Sequence, residues 1–209
     1  MNNITSQCKL CRRAGKKLFL KGERCFSAKC AFTKKPYAPG QHSNKGAILS
    51  EYGRQLAAKQ TIKRVYGLRE KQFRKYFRDS KNKEGNFGDI FIGKLETRLD
   101  NLVFRFGFTQ SRVSARQLVS HGFLEVNGKP VNIPSQALRP GDIISLRLAK
   151  AQRTLVKEMK ERLANKKQET PVWVEVDPKN ITGKLLSIPG VAEVNPEADP
   201  QMIVEFYSR

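Results

Sequence analysis

The sequence predicts an α+β fold: a zinc-stapled, mainly helical N-terminal domain, followed by a small α+β module of two helices and a short antiparallel sheet. Three observations lead there. Four cysteines are confined to the first thirty residues, apolar residues recur at helical spacing in residues 50–78 and 99–119, and an Asn-Gly dipeptide separates two short β-type runs.

Cys8 and Cys11 are separated by two residues, thirteen more lead to Cys25, and four separate Cys25 from Cys30. Two close pairs of soft thiols, joined by a loop long enough to fold back, match a tetrahedral structural zinc site. The opening Met-Asn-Asn-Ile-Thr-Ser lacks the charged n-region and apolar core of a signal peptide, so a reducing cytosol is expected. In that compartment one structural zinc is preferred over two disulfides or four free thiols. Leu18, Phe19, Leu20, Phe26 and Phe32 are the chief large apolar residues here, too few to hold a fold without a cross-link. Around the thiols stand Arg12, Arg13, Lys16, Lys17, Lys21 and Arg24, with one acid in the first fifty residues. That density points to phosphate contact rather than simple solvation.

Residues 34–47, rich in Pro, Gly, Ser and Asn, read as loop. From Ser50 the pattern turns helical to about Tyr66, and again from Glu70 to Arg78, where Phe73, Tyr76 and Phe77 form an apolar stripe. Lys71, Arg74, Lys75 and Arg78 take the opposite sides. Lys75 and Arg78 are read as solvation alone.

Leu99, Leu102, Val103 and Phe106 recur at i, i+3, i+4 and i+7, which makes one apolar stripe at the α period and leaves Arg98 and Arg105 pointing elsewhere. After Gly107, Thr109 or Ser111 is placed to cap a second helix whose Ala115, Leu118 and Val119 face inward and which Gly122 closes. Arg112, Arg116 and Ser120 then share its outer face beside Gln117 and His121. A guanidinium pair one turn apart with short polar donors suits phosphates and groove edges. Phe123 to Val126, Asn127-Gly128 and Lys129 to Val131 read as a hairpin with a type I′ turn. Arg139-Pro140-Gly141-Asp142 turns the chain into a strand in which Ile144, Leu146 and Leu148 alternate with Ile143, Ser145 and Arg147. Residues 153–166 read as a scaffold helix on Leu155, Met159 and Leu163, with Glu158 and Arg162 as a supporting pair. Val172 to Val176 reads as a strand carrying a core Trp173, and Asp199-Pro200 opens a short final helix.

A net charge of +21 on 209 residues calls for a polyanion. The excess of Lys and Arg over Asp and Glu is +10 in residues 1–50, +6 in 51–96, +5 in 97–150 and zero in 151–209. The partner is therefore expected along the first three-quarters of the chain. No apolar stretch has transmembrane length and no basic amphipathic segment has a continuous apolar face, so a membrane is not expected. Catalysis finds little support. His42 and His121 fall in different predicted domains, and no phosphate-loop, dinucleotide or nucleophile-elbow motif occurs. No small-molecule substrate is expected either.

Arg98-Leu99-Asp100-Asn101, Ser114 through Gly122 and Val126-Asn127-Gly128 resemble the RNA-binding domain named after ribosomal protein S-four. The resemblance to the bacterial ribosomal protein S-four family extends through Pro39-Gly40-Gln41-His42, Tyr52-Gly53, Arg64-Val65-Tyr66-Gly67, Lys71-Gln72-Phe73-Arg74 and Ile203 to Arg209. It covers nearly the whole chain, in the four-cysteine form of the family. It implies a zinc-knuckle and helical rRNA-binding domain over 1–96, on which 180–209 packs back, and the RNA-binding module with its following helix and strand over 97–179. It implies RNA contacts at Gln41, His42, Tyr52, Arg54, Arg64, Tyr66, Lys71 and Arg74, and at Arg98, Arg112, Arg116, Gln117, Ser120, His121, Asn127 and Lys129. The implied partners are small-subunit rRNA, neighbouring small-subunit proteins and messenger RNA where it enters the subunit, with early binding in assembly and repression of its own messenger. One departure stands out. Ser43 to Ile48 leave a single charge, Lys45, where relatives carry several basic residues, so a weaker grip on messenger is expected. Two rivals are an RNA-modifying enzyme carrying the module as an accessory and a zinc-dependent DNA-binding regulator.

Overall fold

A computed structural model describes residues 6–41, 48–147, 153–164 and 170–208. The chain divides into two units, one of residues 1–88 with 195–209 and one of residues 89–194. The last strand of the sheet, Thr182–Leu185, lies inside the second unit. Among the described residues no helix is long and apolar enough to cross a membrane.

The first unit opens with α1 (Gln7–Ala14), a 3₁₀ turn (Gly22–Cys25) and α2 (Ala31–Lys34). Leu18 and Leu20 are buried, while Phe19 and Phe26 are exposed and stack on each other at 5.0 Å. Two longer helices follow, α3 (Glu51–Val65) and α4 (Glu70–Lys81), and Ser50 caps α3 by accepting from Gly53 N–H at 3.2 Å. Phe73 and Phe77 form the buried face of α4.

The C-terminal helix of this unit docks on α3 through polar and aromatic contacts together. Asp199 Oδ1 accepts from Gln201 N–H at 2.8 Å and starts the helix (Gln201–Ser208), Ile203 is fully buried, and Gln55 Nε2 donates to Glu205 at 3.0 Å. Lys59, only 5% exposed, lies 4.4 Å over the Phe206 ring and donates to Glu70 at 2.7 Å. Burial pushes the Glu70 carboxyl up, but hydrogen bonds from Lys59, Lys63 and Tyr207, with the Lys63 charge, outweigh it and hold the group at about 2. Burial and Glu70 together push the Tyr207 hydroxyl up, so it stays a donor.

In the second unit α5 (Phe87–Glu96, entering from the boundary), α6 (Leu99–Phe106) and α7 (Arg112–Ser120) precede the sheet. Leu99, Leu102, Val103 and Phe106 are all fully buried, as their spacing predicts, as are Ala115 and Val119 of α7. Burying each larger side chain of this kind contributes about 1.5–3 kcal/mol. Ser111 is the residue that caps α7, accepting from Ser114 N–H at 3.2 Å, and Gly107 ends α6 in the left-handed region. The orphan donors at the start of α6 find the loop behind it: Leu99 N–H and Asp100 N–H donate to the Gln136 and Pro134 carbonyls.

The sheet runs β1 (Leu124–Val126), β2 (Lys129–Val131), β3 (Ile143–Leu146), β4 (Val174–Asp177) and β5 (Thr182–Leu185), in the antiparallel order β2-β1-β3-β5-β4. Asn127 and Gly128 both have positive φ, as a type I′ turn requires. Asn127 also accepts from Ile143 N–H at 2.9 Å and donates to Asp142 at 2.8 Å, which fixes the β1–β3 register. Gly183 in β5 is required by packing, since a Cβ there would lie 2.3 Å from the Phe106 ring. Helix α8 (Arg153–Ala164) adds Met159 and Leu163 to the core, where Trp173 is also buried. Arg162 reaches the Phe108 carbonyl at 3.0 Å rather than serving only its own helix.

Glu70 generates a pH prediction. Its carboxyl is depressed in the folded chain, so its stabilising effect is complete above about 4.5 and is lost as pH falls toward about 2. Thermal melting across that window should show the wild-type stability falling more steeply than that of Glu70→Gln. Parallel curves would mean that the lysine and tyrosine contacts do not bias the titration.

Candidate nucleic-acid interface

The arginines of α6 and α7 stand on two buried acids. Glu96, the last residue of α5, is 0% exposed and is gripped by Arg105, Nε donating at 2.8 Å and Nη2 at 2.7 Å. Asn101 Nδ2 donates to the same carboxylate at 2.7 Å and to the Glu96 carbonyl at 3.0 Å. That orientation turns Asn101 Oδ1 toward Arg112, whose Nε donates to it at 2.7 Å. Arg112 Nη2 is 4.0 Å from Glu96, and its guanidinium lies 4.6 Å over the Phe104 ring. Asp100 is held by Arg98 through Nε at 3.0 Å and Nη2 at 2.7 Å, and Arg116 Nη1 is 3.6 Å away. Buried carboxylates are costly unless paired and hydrogen-bonded, and each of these meets two guanidinium groups.

This arrangement sorts the arginines expected to touch RNA. Arg98 is a correction: expected on an outer face, its side chain is 1% exposed and serves the interior, because Asp100 beside it needs a countercharge. Arg112 and Arg116 sit one turn apart, 18% and 37% exposed, and are pinned on the inner side. Gln117, Ser120 and His121 are exposed on the same helix end, although Ser120 Oγ donates back to the Arg116 carbonyl at 2.8 Å. Lys129 is exposed on the edge strand β2, and Asn127 is occupied in its turn. Glu96 and the role of Asp100 went unread in the sequence. The available signal was two acids four residues apart, with arginines at 98, 105, 112 and 116 around them.

In the first unit the basic residues divide in the same way. Arg12 donates to the Tyr37 carbonyl at 2.9 Å and lies over the Tyr37 ring, so it clasps a loop. Lys16 donates to the Glu197 carbonyl, and Arg54 pairs with Glu51 on its own helix. Tyr66 is a second correction: it is 6% exposed and belongs to the core at the end of α3, where the chain turns into Gly67. Tyr52 is half exposed with its ring against Phe206. Arg13, Lys21, Gln41, Lys71 and Arg74 are exposed, and Lys17 is half-buried. Burial pushes the Arg64 guanidinium down, and the like charge of Arg13 adds to this. Such a pair suits an anion. His42 and the weakly charged 43–47 stretch lie outside the described residues.

The four cysteines are free thiols; Cys11, Cys25 and Cys30 are buried and Cys8 is half-buried. Burial pushes the Cys11 thiol up, and the charges of Cys25, Cys8 and Cys30 add to the shift against a backbone donor at Leu18. Backbone donors of Thr33 and Phe32 at the start of α2 hold Cys30 down. The donor chemistry suits zinc. Even so, among the described residues no group of three or more His, Cys, Asp or Glu is disposed to hold a metal ion, so the expected zinc staple is not part of the fold as described.

Residues 2–96 match the model of the ribosomal protein S4/S9 N-terminal domain, and residues 97–144 match that of the S4 domain. The chain is 50% identical over 203 residues to small ribosomal subunit protein uS4 of Thermotoga petrophila, covering 97% of this chain and 96% of the relative. It is 49% identical over 203 residues to that of Thermotoga maritima, with the same coverage, and 46% identical over 206 residues to that of Caldicellulosiruptor saccharolyticus, covering 99% and 98%. Matches of this length and identity place the chain in the small ribosomal subunit protein uS4 family.

Proposed function

We propose that this chain is a structural component of the small ribosomal subunit, in the cytoplasm, that binds the subunit's rRNA. The observation that carries the reading is the match to uS4 relatives over nearly the full length of both chains. The geometry supplies the chemistry. Arg112 and Arg116 on one unit, and Arg13, Arg64, Lys71 and Arg74 on the other, present cations at fixed positions, and folded RNA is recognised by phosphate geometry more than by sequence. Replacing Arg112 and Arg116 with alanine is expected to weaken binding to small-subunit rRNA and to lower the salt slope by roughly 0.7–0.9 per lost phosphate contact. A slope equal to the wild type would show that neither side chain meets a phosphate.

We infer a single structural zinc on Cys8, Cys11, Cys25 and Cys30. Its support is the spacing of the cysteines, their burial, and a surrounding interior whose buried large side chains are few. Elemental analysis should find about one zinc per chain, and a chelator should unfold the N-terminal segment before the rest. Metal-free protein with four titratable thiols and unchanged folding contradicts the zinc.

Early binding in assembly, contact with neighbouring small-subunit proteins, and repression of its own messenger complete the proposal, on the resemblance alone. So does a messenger contact at residues 43–48, of which Ile48 is described and fully exposed. Exchanging Ala47 and Ile48 for arginine should improve translation through a stable messenger hairpin, because the attraction scales with phosphates neutralised. No gain, with normal subunit assembly, removes messenger from the partners of this loop.

A further inference from the structure

A cleft of about 440 Å³ opens between α7 and α8, within the roughly 300–1,000 Å³ range of small-ligand sites. Its floor is apolar: Phe108 and Met159 are 0% and 1% exposed and Leu118 is 8% exposed. Its rim is polar, carrying the Gln117 amide and the His121 ring from α7 and Glu158 and Arg162 from α8. His121 is exposed and nearly parallel to Phe123, with centroids 6.2 Å apart and planes 17° apart, which makes an aromatic ledge at the mouth. Arg162 is fixed by its bond to the Phe108 carbonyl, so the α8 wall is tied to the loop before α7.

We propose that this cleft receives one unpaired base of the bound RNA. The inference rests on the rRNA-binding reading above and assigns a base contact where that reading has only phosphates. A flat heterocycle with an apolar face and polar edges fits an apolar floor under amide, imidazole, carboxylate and guanidinium groups. A phosphate does not, because Glu158 at the rim cancels the charge of Arg162. Single-stranded loops and bulges of rRNA offer such bases; paired A-form stems do not.

Full-length small-subunit rRNA transcript is the probe, and Gln117→Ala and His121→Ala are the variants, both at exposed positions so that the fold is kept. Each is expected to weaken binding on the order of ten-fold, the scale of a lost base contact, with the salt slope unchanged. A slope that falls along with affinity shows a phosphate contact and overturns the proposal. If the wild type binds and both variants bind equally well, the cleft is not a base site, whether or not the variants still enter the subunit; variants that bind but fail to enter assign it to a protein neighbour. If the wild type itself does not bind the transcript, the rRNA-binding reading fails as well.

Discussion

Burying a carboxylate costs several kcal/mol unless cations and donors meet it, and Glu96 and Asp100 are both buried at the junction of α5 and α6. The rest of the second unit is arranged around that requirement. Arg105 and Arg112 answer Glu96, Arg98 and Arg116 answer Asp100, and Asn101 links Glu96 to Arg112. The angle between α6 and α7 is thereby tied to charge as well as to the apolar contacts of Leu102, Val103 and Val119. In a chain of net charge +21, two interior negative charges let several guanidinium groups lie close together without mutual repulsion opening the fold.

The same economy of acids operates in the first unit. Glu70 gathers Lys59, Lys63 and Tyr207, and so joins α3, α4 and the C-terminal helix at one point. Arg12 and Lys16 are spent on backbone carbonyls. Other cations, such as Arg13, Lys71 and Arg74, are exposed. A basic protein of this kind thus holds two populations of positive charge, one that builds the scaffold and one that the scaffold presents to a polyanion.

Periodicity and turn chemistry made most of the fold legible. The stripe of Leu99, Leu102, Val103 and Phe106, the Ser50 and Ser111 caps and the Asn127-Gly128 turn follow from local rules, and the structure has each of them. What escaped depends on partners distant in sequence. Arg98 reads as a surface residue until Asp100 is known to be buried, and Tyr66 reads as an RNA contact until α3 is seen to end in the core. Arg162 looks like half of a helical ion pair, but its partner is a carbonyl fifty-four residues away. The cleft could not be read at all, since its two walls are brought together only by tertiary packing.

Glu96, itself out of reach of solvent, holds Arg112 through Asn101, and on the proposed rRNA-binding reading it thereby supports RNA affinity. The direct measurement is a double-mutant cycle on rRNA affinity with Glu96→Gln and Arg112→Ala, folding being checked by circular dichroism. Glu96→Gln should weaken binding in the wild-type background and have much less effect once Arg112 is alanine. Equal losses in both backgrounds, or no loss in either, would show that the buried acid supports the fold without positioning the arginine.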